Sequence, residues 1–134
     1  MIKKILLILC LITPVTRAAN DFTGDANVEG LFNFENGALT TDSSGNGNTL
    51  STSGTPTADT VNYKEGAASV DLDSGEVDGL YRSDGDLSAG FPGKSSGGSN
   101  VFSFAAWVRL DSDAGVQVIC AKHYASVNKR SYMF

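Results

Sequence analysis

An all-β fold, an antiparallel β-sandwich or jelly roll, is what the sequence predicts, and three observations carry it. Fifteen glycines, with many Ser, Thr, Asn and Asp residues, cut the chain into short apolar pieces. No stretch beyond residue 20 sustains a 3.6-residue apolar period over the length a helix needs. Several pieces instead alternate apolar and polar positions, the period of a strand with one buried face.

The first twenty residues stand apart from that pattern. Met1-Ile2-Lys3-Lys4 is a short positive start, residues 5–12 are an unbroken apolar run, Pro14 interrupts it, and Thr16-Arg17-Ala18 offers small residues for cleavage. This is the layout of a secretory signal peptide over residues 1–18, cut after Ala18. The apolar stretch of residues 5–15 is well short of the ~20 residues that span a bilayer, so no membrane span is expected in the mature protein. A lipid anchor at Cys10 is disfavoured, because Leu9 precedes it where a small residue belongs and Cys10 lies inside the apolar run. The protein is therefore expected to be secreted or at the cell surface.

Removing the leader sharpens the charge. Taking Lys3, Lys4 and Arg17 from the ten bases leaves seven against fifteen acids, a net charge of −8. A surface this acidic repels phosphate backbones, so nucleic acid is not an expected partner. Of the two cysteines only Cys120 survives cleavage. With no partner for a disulfide within the chain, it reads as a small buried apolar residue.

After a short linker over residues 19–27, the predicted strands run in order. Val28, Gly30, Phe32 and Phe34 alternate with Glu29, Leu31, Asn33 and Glu35. Ala68, Val70 and Leu72 make a shorter strand. Phe102, Phe104, Ala106, Val108 and Leu110 give the clearest pattern, with Ser103, Ala105, Trp107 and Arg109 on the other face. Residues 116–121 follow an Asp111-Ser112-Asp113-Ala114-Gly115 turn and are predicted to pair with residues 102–110 as a hairpin. Two low-complexity loops, residues 40–60 and 88–100, lie between, and long loops between strands are where function concentrates.

The order of motifs resembles the laminin-G-like, concanavalin A-like lectin-glucanase jelly-roll family. Leu31-Phe32-Asn33-Phe34-Glu35-Asn36-Gly37 followed by Asp42-Ser43-Ser44-Gly45-Asn46-Gly47-Asn48 is similar to the family's opening strand and glycine-rich loop. Gly66-Ala67-Ala68-Ser69-Val70-Asp71-Leu72-Asp73-Ser74-Gly75 stands where a Gly-x-Ala-x-x-Phe-Asp-Gly strand is typical, with Leu72-Asp73 standing for the Phe-Asp step and Ser74 inserted. Phe102-Ser103-Phe104-Ala105-Ala106-Trp107-Val108-Arg109-Leu110-Asp111 resembles the Phe-Thr-x-x-x-Trp-Val-x-x-Asp strand, and Val118-Ile119-Cys120-Ala121-Lys122 the strand after it. The resemblance covers residues 28–134 and implies a jelly roll incomplete at Phe134, either a fragment with further strands expected beyond it or a reduced version completed by a partner. On that basis residues 19–134 are not expected to form a stable monomer. It also implies Trp107 packed between the sheets.

The implied function is a non-catalytic extracellular module that binds carbohydrate or protein, of the kind bacteria export. The alternative is an accessory domain at the front of a larger secreted carbohydrate-active or proteolytic enzyme. Catalytic residues are not expected. His123 is the only histidine, no Gly-x-Ser-x-Gly elbow is present, and the Glu-x-Asp-x-x-Glu strand of related glycosidases is missing. Asp71, Asp73, Glu76 and Asp78 read as solvated turn acids. Asp25-Ala26-Asn27-Val28-Glu29-Gly30 nearly spells a calcium loop, but Glu29 at its fifth place and Asn36 at its twelfth break the pattern. The candidate metal ligands are Asp42, Asn46 and Asn48, through which the family resemblance implies calcium, against a loop held by its own turns without an ion. Tyr63 and Tyr81 lie in loops where a ring could stack on a sugar.

Overall fold

The computed structural model describes residues 22–73, 75–98, 101–112, 115, 117–124 and 129–134. The predicted leader lies outside these residues. The described chain is all-β in character: six short strands, one 3-10 turn at Asp84–Asp86, and long irregular connections. Strand β1 (Ser51–Ser53) pairs antiparallel with β4 (Gly79–Tyr81), and β2 (Thr57–Asp59) with β3 (Ser69–Asp71). Strand β5 (Ala121–Tyr124) pairs antiparallel with β6 (Lys129–Met133), with a bulge between Lys122 and His123. Each sheet has two strands. Among the described residues no helix is long and apolar enough to cross a membrane.

The predicted strand around residue 70 is β3, trimmed to three residues. Two other expectations are overturned. Residues 28–35 form no strand, although their alternation predicts one. Their backbone groups are satisfied instead by a loop that follows in sequence. Leu31 donates its N–H to Asp42 and accepts from Ser43 N–H, while the carbonyls of Val28 and Glu29 accept from the side-chain amides of Asn46 and Asn48. Buried backbone groups need one partner each, and side chains that supply it remove the need for a neighbouring strand. The segment ends where Phe34 enters the left-handed region at φ 53°, a costly backbone for an aromatic residue. A tight turn follows, with Ala38 N–H donating to Glu35 O at 2.8 Å.

Residues 101–110 also lack strand structure, and they do not pair as a hairpin with the described part, residues 117–121, of the expected partner strand. The expected partner is taken. Ile119 and Cys120 donate their N–H groups to Phe134 O, and Phe134 N–H returns to Cys120 O at 2.8 Å, which extends the β5–β6 ribbon. Of the predicted turn between the two segments, Asp113 and Ala114 fall outside the described residues, as does Val116.

The predicted 40–60 loop carries β1 and β2. Its start is held by Leu50 N–H on Thr40 O, and its middle by Arg82, which donates to Thr49 O and to Asp86 O. Burial is sparse. Among the described residues only Ala68 and Leu87 are buried apolar side chains, and the most buried residue of all is polar, Asn48. The described chain is thus tied together by polar loop contacts more than by an apolar core.

Candidate functional site

The 42–48 loop brings Asp42, Asn46 and Asn48 together, as the sequence predicts, but engages them in holding the chain. Asp42 Oδ1 accepts from Leu31 N–H at 3.0 Å and Ser44 N–H at 2.9 Å, and Oδ2 from Asn48 N–H at 2.7 Å. Partial burial alone would raise the Asp42 carboxyl, yet these donors outweigh it and hold it below the ordinary carboxylate range. Gly45 and Gly47 adopt φ of 89° and 73°, which lets the loop fold back on Asp42 at no steric cost. Asn46 donates its amide to Val28 O at 2.8 Å.

Asn48 is the centre of this network. Its side chain is fully buried. It donates to Glu29 O at 2.6 Å and to Ser88 Oγ at 3.0 Å, and its Oδ1 accepts from Ser88 N–H at 2.8 Å. Ser88 Oγ donates in turn to the Glu29 carboxylate at 3.3 Å. Three segments, around residues 29, 48 and 88, are pinned at one residue. Ser88 and Glu29 were not recognisable as partners, because they lie forty and nineteen residues away in sequence.

Calcium does not suit this donor set as it is arranged. A cation needs oxygens that point inward together. Here both Asp42 oxygens face backbone N–H groups, and both asparagines turn their NH₂ groups toward backbone carbonyls. The near-calcium segment at residue 25 is similarly occupied, since Asp25 Oδ1 accepts from both the backbone and the side chain of Asn27. Among the described residues, no group of three or more His, Cys, Asp and Glu side chains is placed to hold a metal ion.

The acids at residues 71–78 gather around an open concavity of about 240 Å³, lined by Thr55, Thr57, Asp71, Asp73, Glu76 and Asp78. Three of them are engaged in shaping a turn. Asp78 Oδ1 accepts from Thr55 N–H at 2.7 Å and Oδ2 from Asp73 N–H at 3.2 Å. Asp73 Oδ1 accepts from Gly75 N–H at 2.7 Å, and Glu76 accepts from the Thr55 hydroxyl. Their grouping holds the β1–β2 connection against the loop between β3 and β4. Val77, in the same turn, sits at φ 57°.

The largest departure from expectation is aromatic. Trp107, expected between two sheets, is 70% exposed, with Lys64 Nζ 4.9 Å from its ring centroid. Phe102, Phe104, Tyr132 and Phe134 form a contiguous ring cluster. Phe104 stacks on Phe134 at 5.3 Å, Phe102 lies 4.9 Å from Tyr132, and Tyr132 lies 5.8 Å from Phe134. All three phenylalanines of the cluster are exposed, by 37 to 50%, and Val118, Ile119 and Met133 beside them in sequence are exposed as well. Cys120 is half-buried, and burial pushes its thiol pKa up, away from the reactive thiolate. Burial also pushes the Tyr132 phenol up, with the Cys120 charge adding to it. Tyr63 and Tyr81 are both exposed, but Tyr81, expected in a loop, is the last residue of β4, paired with Ser51. His123 lies in β5, its backbone paired with Arg130.

No protein-family model, curated protein or solved structure matches this chain.

Proposed function

We propose that the chain is an exported, non-catalytic binding or adhesion module of the laminin-G-like, concanavalin A-like jelly-roll type, recognising glycan or extracellular protein. One observation carries the reading: the exposed aromatic surface of Phe102, Phe104 and Phe134, with Trp107 open to solvent on the same stretch of chain. Soluble proteins rarely leave contiguous apolar surface uncovered unless it meets a partner. Flat aromatic faces suit either the C–H face of a pyranose ring or the apolar side chains of a protein. The three sequence motifs in family order and the all-β character of the described chain support the jelly-roll assignment.

Two polar clusters among the described residues have structural roles. Asp73, Glu76 and Asp78 hold a turn, and the 42–48 loop acts as a clasp between segments.

The test is a screen of the purified protein against a glycan array and a panel of purified extracellular proteins, repeated with Phe104→Ser and Trp107→Ala. Binding to at least one probe, lost in both variants while their melting temperatures hold, is the expected result. No binding to any probe, or binding that both variants retain, overturns the proposal.

A further inference from the structure

We draw no further inference here: the strongest candidate, the exposed aromatic cluster of Phe102, Phe104, Tyr132 and Phe134 beside the β5–β6 ribbon, belongs to the binding surface already proposed, and nothing in the structure shows what covers it.

Discussion

Asn48 carries more of the described architecture than any apolar side chain. Every polar atom of its amide is engaged, and it sits where solvent cannot replace a lost partner. Leaving buried backbone and hydroxyl groups unsatisfied costs roughly 1–3 kcal/mol. Asn48→Ala should therefore lower stability by about that amount, read as a fall in the thermal midpoint. Asn48→Ser, which keeps a hydroxyl but cannot span to Ser88, should recover only part of it. An Asn48→Ala protein that melts like the wild type would mean that the clasp does not hold the three segments. Asp42 supports the same clasp, and with its oxygens facing N–H groups it should not respond to calcium. Melting in excess calcium and in chelator should coincide. A calcium-dependent rise that Asp42→Asn abolishes would show the loop rearranging around an ion.

At the scale of the element, the β5–β6 ribbon is moored to the 3-10 turn through Lys122, which donates to the Asp84 carboxylate. Ser95 donates to the same carboxylate from its hydroxyl and its N–H. The Lys122 and Ser95 hydrogen bonds together lower the Asp84 pKa from 3.8 to about 2. A carboxyl depressed in the folded state favours folding fully above its unfolded value, and that contribution drains away as pH falls from near 3.8 to about 2. Stability should therefore decline on the acid side across that window. Asp84→Asn should flatten the decline, and the partial solvent exposure of Asp84 keeps the effect modest. An acid limb unchanged in Asp84→Asn would remove Asp84 from the linkage.

Element by element, alternation located one strand and misled where side chains replaced ladders. The strand at Ser69–Asp71 follows from its alternation, whereas its partner Thr57–Asp59 lies in the segment predicted as a loop, where Ser, Thr and Gly composition hides a three-residue strand. Residues 28–35 alternate equally well, but Asp42, Asn46 and Asn48 meet their backbone needs, and alternation does not register a competing hydrogen-bond donor. Residues 102–110 show the best strand period in the chain, yet Cys120 and Ile119 pair with Phe134 instead. The loop residues Asp42, Asn46 and Asn48 could be singled out from composition and glycine spacing. Their role as a clasp could not, because it depends on Ser88, forty residues on.

For the whole molecule, two buried apolar side chains among the described residues leave little apolar burial, while a run of exposed rings faces solvent. Uncovered surface of this kind favours association. Size-exclusion chromatography of residues 19–134 should show concentration-dependent assembly that Phe104→Ser reduces. A monodisperse monomer at every concentration would contradict it. The proposed export makes a separate prediction at this scale: N-terminal sequencing of secreted protein should begin at Ala19, and secreted material that retains Met1 would oppose it.

The proposed binding surface is tested most directly by the fluorescence of Trp107, the sole tryptophan in the chain and therefore an unambiguous reporter. With 70% of the residue exposed, its emission should resemble indole in water and be quenched readily by iodide. Titration with a probe that scores on the glycan array or protein panel should shift the emission to the blue and protect it from quenching. A blue-shifted, iodide-resistant emission before any probe is added would place Trp107 in a core, and the exposed aromatic surface would no longer support the binding assignment.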